Sequence, residues 1–378
     1  MMIDCQRHLF ELPDDVAYLN CSAYSPLMRR VAEAGRRGIE TKSRPWEIDS
    51  ASIFDDLEEA RALFARLIGA RADDIATVPS ASYGLATAAL NLKAAAGQRL
   101  LVLEDQFPSN VHPWRQLAAR SGAALVTVPR PASGGWTDPL LQYIDASTAV
   151  VALPQSHWCD GTLVDLVAVG RRCRQVGAAL VLDLTQSIGA IPFDVAEVQP
   201  DFLVAAGYKW LMAPYSLGFL YVAPKHHEGE ALELNRIARS VDPDFNRLSR
   251  YELPFPLAAR RYDVGEATNF VLLPMAVAAM RQLLDWGTIE IQQTLRAFTD
   301  EIAGRAEELG LIVPPREERV GHYLGIRFPG GSPENFVGRL AADGIYVSQR
   351  ADAMRVSPHL YNNRGDIDRL FDGVKALL

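Results

Sequence analysis

DFLVAAGYKWLM, residues 201–212, decides how the chain is read. Phe202 to Ala206 is apolar without alternation and of strand length. Such a run fits a strand buried on both faces, the pattern of a parallel sheet covered by helices. At its end the chain turns through Gly207 into Tyr208, Lys209 and Trp210. A lysine therefore stands where an open α/β sheet binds ligands, outside the carboxyl ends of its strands. With only apolar and aromatic neighbours, its amine either sits in water or has a chemical task. If buried, it loses proton affinity and becomes a better nucleophile.

Working outward, six more apolar runs have the same character: IATV (75–78), RLLVLE (99–104), AALVTV (123–128), AVVALP (149–154), ALVLDL (179–184) and GFLYV (218–222). The segments between them, such as LVDLVAVGRRCRQVG, are long enough for crossover helices. The expected fold is α/β, a large domain with a mostly parallel seven-stranded sheet. Ahead of it, residues 49–69 place Ile53, Leu57, Ala60, Phe64 and Leu67 at helical spacing, with Gly69 as a stop. Residues 289–310 read as a long amphipathic helix through Ile291, Leu295, Phe298, Ile302 and Leu309. YLGIRFPG, SPENFVGRLAADG, IYVSQ, MRVSP and RGDIDRLFDGVKALL follow as strand, helix, strand, strand, helix. The expected division is an N-terminal segment, 1–17, packing on the small domain; a large domain, 18–268; and a small C-terminal α+β domain, 269–378. Residues 224–268, rich in Pro and Arg, read as a crossing connection or an active-site loop region.

Hydrophobic residues make up 49% of the 378 and charged residues 22%, enough for a large core. A net charge of −8 disfavours nucleic acid or an anionic membrane as partner. The apolar stretch 269–280 is too short to span a bilayer. The sparse cysteines, Cys5, Cys21, Cys159 and Cys173, form no CxxC pair, which fits a reducing compartment. With no secretory leader in MMIDCQRHLFELPDD, the expectation is a cytoplasmic protein. No metal is expected: His226 and His227 lack companion ligands.

The residues just past each strand carry the chemistry. IATV leads into PSASYGLATAAL, a helix start rich in small residues that would face an anion with free N–H groups. ALVL leads into DLTQS, with Asp183 and Gln186, and DFLVAA leads into GYKW, with Lys209. EDQFPSNVHPW and QSHWCDG add aromatics at the same edge. A carboxylate, a lysine, an anion-binding turn and flat side chains suit pyridoxal 5'-phosphate. Its aldehyde takes a lysine amine, and its ring nitrogen needs an acidic partner.

The order of these elements resembles the class V aminotransferase family, of fold type I, which includes cysteine desulfurases, kynureninases and isopenicillin-N-epimerase-like enzymes. The likeness runs from YLNCSAYSP (18–26) to RVSPHLYN (355–362). It implies Lys209 as the Schiff-base lysine and Asp183 as the partner of the pyridine nitrogen. Gln186 would face the phenolate oxygen, and Phe107 would stack on the ring where many relatives have histidine. Ala81, Ser82 and Tyr208 would hold the phosphate. Thr268 and Asn269 would reach the phosphate of a second subunit, which implies a homodimer with shared sites. Arg355 would fork onto the substrate carboxylate. His157 and Trp158 would face the substrate side, Trp158 replacing the family's usual asparagine. YVSQRADAMRVS lacks the desulfurase cysteine, so persulfide chemistry is not expected. The resemblance implies an enzyme acting on an α-amino acid by transamination or C–S/C–C lyase chemistry, with amino-acid epimerisation as alternative. A non-catalytic module binding the cofactor or a nucleotide is the rival of another class. No GxGxxG follows the first strands to support a dinucleotide site.

Overall fold

The computed structural model describes residues 2–49, 52–131, 135–234 and 258–378. Its strands, in chain order, are β1 (Ala17–Tyr18), β2 (Ile75–Val78), β3 (Arg99–Leu103), β4 (Ala124–Val128), β5 (Thr148–Pro154), β6 (Ala179–Asp183), β7 (Phe202–Ala206), β8 (Gly218–Val222), β9 (Leu324–Arg327), β10 (Ile345–Tyr346), β11 (Ser348–Arg350) and β12 (Ala353–Val356). The seven apolar runs form one sheet in the order β2-β8-β7-β6-β5-β3-β4. Pairings from β4 through β7 are parallel. Period two divides each continuous run between two cores. Leu101, Leu153, Leu182, Leu203 and Phe219 pack on one face, and Leu100, Val102, Val181, Val204 and Leu220 on the other.

Two strands depart from the sequence reading. β8 runs antiparallel to both its neighbours, β7 and β2. The reason is the connection: 207–217 is too short for a crossover helix, so the chain returns beside the strand it left. That return carries Lys209. β4 is an edge strand, with Ala124 and Thr127 exposed, where AALVTV reads as buried on both faces.

Helices cover both faces. Asp55–Ile68 starts with Asp55, Asp56 and Glu58 in its first turn and stops at Gly69, whose φ of 68° is left-handed. Its Phe64 stacks on Phe219 of β8, ring centroids 4.7 Å apart. Leu272–Trp286 takes up the stretch around Pro274; the proline falls in the first turn, where its missing N–H leaves no hydrogen bond unmade. Thr288–Glu308 is the long amphipathic helix. Among the described residues no helix is long and apolar enough to cross a membrane.

In the C-terminal part, β9, β12 and β11 form an antiparallel sheet, with helices Phe336–Ala342 and Arg364–Lys375. The N-terminal segment meets it: β1 pairs in parallel with β10, and Arg7 Nη1 lies 3.2 Å from Asp366. Residues 20–25 then reach back to the large sheet. Cys21 N–H donates to Ser357 O (3.0 Å) and Ser25 N–H to Tyr208 O (3.1 Å). Residues 235–257, most of the Pro- and Arg-rich stretch, lie outside the described residues.

Candidate active site

A cavity of about 320 Å³ opens at the carboxyl edge of β5, β6 and β7. Its lining includes Ser80, Ala81, Ser82, Phe107, Trp158, Asp183, Gln186, Tyr208 and Lys209. Ser109, Ser156, Thr185, Tyr215 and Ser216 also line it.

Lys209 is 9% exposed. Its Nζ lies 5.6 Å from the ring centre of Phe107 and 5.5 Å from that of Tyr208. Burial and then the charge of Arg355 lower its pKa to about 8, against an opposing pull from Asp183. The amine is thus partly free near neutral pH. The turn that holds it is pinned at its root, where Gly207 N–H donates to Leu217 O at 2.8 Å. A Cβ at Gly207 would sit 2.8 Å from the same carbonyl, so the closure needs glycine.

Asp183 ends β6 and is buried; burial raises its pKa, opposed by hydrogen bonds from Thr185 and by the charge of Lys209. Thr185 N–H reaches its Oδ1 at 3.1 Å. A carboxyl held this way is short of a cation or a proton donor. Gln186 has a fixed amide. Trp210 Nε1, which can only donate, reaches Oε1 at 2.9 Å, so Nε2 faces the carbonyl of Ser22 at 3.1 Å.

The helix Ala81–Asn91 begins at the cavity. Ser80, not Ser82, caps it: Ser80 Oγ accepts from Tyr83 N–H at 3.2 Å. The N–H groups of Ala81 and Ser82 have no acceptor within the helix. Ser82 Oγ donates to Ser109 Oγ at 2.9 Å. Gly84 lets this helix lie close on β7, since a Cβ there would meet Val204 Cγ2 at 2.8 Å.

Phe107 is 40% exposed and meets Trp158 edge-on, centroids 5.4 Å apart. Trp158 Nε1 donates to Asp105 O at 2.7 Å. Arg355 is not among the lining residues; it is buried behind Trp158, and its Nη1 donates to the Trp158 carbonyl at 2.7 Å. Its Nε has no hydrogen-bond partner, and among the described residues no carboxylate pairs with it. Burial, and then Arg350, lower its pKa to about 10.

With Arg355, four expected residues stay outside the cavity lining; the others are His157, Thr268 and Asn269. His157 is fully buried and stacks on Trp136, centroids 5.4 Å apart. Arg130 donates to its Nδ1 (3.0 Å) and Nε2 meets Glu104 O (3.1 Å), so the ring turns away from the substrate side while Ser156 and Trp158, its neighbours, line the cavity. Thr268 and Asn269 lie outside the lining in this chain. Asn269 Oδ1 accepts from Val271 N–H (3.0 Å) and Leu272 N–H (2.8 Å) at the start of the next helix. Ser109, Tyr215 and Ser216 were not singled out from sequence; the one signal was their place on loops after β3 and before β8.

The family model for aminotransferase class V matches residues 18–370. The chain belongs to that family. It is 28% identical to an uncharacterized aminotransferase of Bacillus subtilis, over 85% of this chain and 84% of the relative. It is 27% identical to a kynureninase of Deinococcus radiodurans (99% and 92%) and 26% to an isopenicillin N epimerase of Amycolatopsis lactamdurans (98% and 97%). Among solved structures, an apo cysteine desulfurase from Thermococcus onnurineus superposes with TM-score 0.85 at 19% identity, covering 100% of this chain and 99% of that one. A C-DES mutant with glycine covalently linked to its PLP cofactor gives 0.88 at 18% identity, with 99% and 100% covered. These likenesses show the fold, which is fold type I.

Proposed function

We propose that the protein is a pyridoxal-phosphate-dependent enzyme of α-amino acids, with Lys209 as the residue that carries the cofactor and moves the proton at the substrate α-carbon. Bound in the cavity, the cofactor supplies an aldehyde that takes up amines and a ring that draws electrons from the α-carbon. The observation that carries the reading is the Lys209 amine, lowered to about 8, in one cavity with a buried carboxyl and a helix N-terminus.

The chain's own groups fit that cofactor. Asp183, short of a cation, suits the ring nitrogen, and the unused N–H of Gln186 suits the ring oxygen. Ala81 and Ser82, with the Tyr208 hydroxyl, suit the phosphate. Phe107 lines the cavity and would cover a ring face with no proton to give, which would leave proton transfer to Lys209. Arg355, a buried guanidinium with no ion-pair partner among the described residues, suits the substrate carboxylate. Trp158 forms the substrate-side wall, and His157 positions it. Thr268 and Asn269 serve the site of a second copy, in a cytoplasmic homodimer.

For the reaction we favour transamination or C–S/C–C lyase chemistry, in keeping with the aminotransferase and kynureninase relatives. Epimerisation, named in another relative, ranks second: it requires proton delivery on both faces of the α-carbon, and Phe107 supplies none. Persulfide transfer is disfavoured because YVSQRADAMRVS carries no cysteine, burial pushes Cys21, Cys159 and Cys173 up to about 12, and the exposed Cys5 is not in the cavity lining.

Purified with pyridoxal phosphate, the protein should be yellow, and borohydride should fix the cofactor on Lys209 in peptide maps. A screen of amino acids for pyruvate, ammonia and transferred amino groups then separates the reactions. A colourless protein that cannot be reconstituted sinks the proposal.

A further inference from the structure

β11 and β12 form a hairpin in which Ser348 pairs with Arg355 and Arg350 pairs with Ala353. Side chains of directly paired residues share a face, as do residues two apart on one strand. Arg350 and Arg355 therefore project from the same face as diagonal neighbours, roughly 7–8 Å apart at the backbone. Both meet Trp158. Arg355 donates to its carbonyl (2.7 Å), and the guanidinium of half-buried Arg350 lies 5.7 Å from the centre of its ring.

Two like charges on one face repel unless an anion lies between them. Among the described residues no acidic side chain forms an ion pair with either arginine. Asp352, in the turn of the same hairpin, is engaged by Arg327 Nε at 3.0 and 3.1 Å. Arg327 Nη2 in turn holds Asp160 at 3.0 Å. Arg350 donates to the carbonyl of Gln349 at 2.7 Å, and among the described residues it makes no ion pair. Its charge reaches inward, lowering both Lys209 and Arg355. At Lys209 the charges of Arg355 and Arg350 are opposed by the carboxyl of Asp183.

We propose that Arg350 is a specificity residue that binds a second carboxylate, on the substrate side chain, so that the enzyme prefers dicarboxylic amino acids. This rests on the reading of Arg355 as the α-carboxylate site. With Arg355 holding the α-carboxylate, the side chain of the same substrate passes along Trp158 toward Arg350. The half-buried position of Arg350 keeps its remaining N–H groups available to an incoming carboxylate.

The test is a binding ratio. The holoenzyme is titrated with aspartate against asparagine and glutamate against glutamine, reading the cofactor's absorbance change. Wild type should bind the acid about tenfold or more tightly than its amide, as one charge-assisted hydrogen-bonded pair implies. In Arg350→Gln that ratio should fall to near unity, and in Arg350→Glu it should invert. A wild-type ratio near unity, or a ratio unchanged in Arg350→Gln, overturns the proposal. Equal weakening of acid and amide does so too, because Arg350 would then serve a group common to both. Arg350 is half-buried in a short hairpin, and equal melting temperatures verify that the variants fold. An arm independent of the cofactor is calorimetry of glutarate against butyrate on the same proteins. If the protein holds no pyridoxal phosphate, this arm still decides: a tenfold preference for glutarate that Arg350→Gln abolishes supports the two-arginine site, and no preference refutes it.

Discussion

Buried charge is handled in two ways in this molecule. Beside β2, Arg61 is fully buried and meets Asp263 through both terminal nitrogens, while Asp263 also accepts from Thr77 N–H at 2.8 Å and Arg61 donates to Ile75 O at 2.7 Å. Around Asp160, Arg130 (2.7 Å), Arg327 (3.0 Å) and Thr162 Oγ1 (2.8 Å) likewise satisfy a buried carboxylate. Lys209 and Asp183 in the cavity, and Arg355 behind Trp158, are buried too, yet none pairs within ion-pair distance among the described residues. Paired charges fix the scaffold, because each offsets the other's desolvation. Unpaired ones cost stability, and under the proposed function they meet charges that arrive with ligands.

The contrast is broken most sharply at Lys209. Lys209→Ala should lower turnover roughly 10⁴-fold or more, since it removes the amine and the proton carrier together. Denaturant unfolding of the apo-protein should show it no less stable than wild type, since a desolvated cation has been taken away. Loss of stability comparable to the loss of activity would place Lys209 with the scaffold charges. Asp263→Ala should do the reverse. Stranding Arg61 should cost about 3–5 kcal/mol of unfolding free energy. Kinetic constants measured well below the melting temperature should change little.

Arg355 tests the same distinction on the substrate side. Arg355→Ala should reduce kcat/KM by roughly a hundredfold, about 2.7 kcal/mol, through KM rather than kcat, as expected for a charged hydrogen-bonded contact to a carboxylate. Arg355→Lys should recover little of this, since an ammonium lacks the planar fork. If Arg355→Ala altered stability alone, with KM unmoved, the guanidinium would belong to the packing of Trp158.

The sheet was legible because each strand is a short, uninterrupted apolar run, and the pattern survives burial on both faces. Strand direction was not written in those runs. β8 reads like its neighbours, and only the short 207–217 connection reverses it. Lys209, Asp183, Gln186 and Ser82 were visible as residues after strand ends, and all four line one cavity. His157 was misplaced because the loop after β5 alternates: Ser156 and Trp158 line the cavity while His157 turns inward to Arg130. Tyr215 and Ser216 were missed because their position depends on how the Lys209 turn closes back on β8, a tertiary fact with no local signature. The two arginines of the β11–β12 hairpin could be seen in sequence, but their common face emerges only from the register.

Between the paired and the ligand-seeking charges lies His359, buried with neither. It is fully enclosed near Trp210, Trp286 and Tyr361, and neither ring nitrogen has a protein hydrogen-bond partner among the described residues. Burial alone lowers its pKa from 6.5 to about 3. The folded state therefore keeps it neutral in a window where the unfolded chain protonates it. Its effect on stability is absent above pH 6.5 and grows as pH falls from there toward 3. At pH 5 the linkage amounts to about 2 kcal/mol, at roughly 1.4 kcal/mol per pH unit below the ordinary histidine pKa. His359→Leu should remove this term while leaving the packing cost, which is the same at every pH. The difference in unfolding free energy between variant and wild type should therefore shift in favour of the variant by about that amount between pH 7.5 and pH 5. A difference independent of pH would mean that His359 gains a proton in the fold, and that a partner for its charge lies within reach.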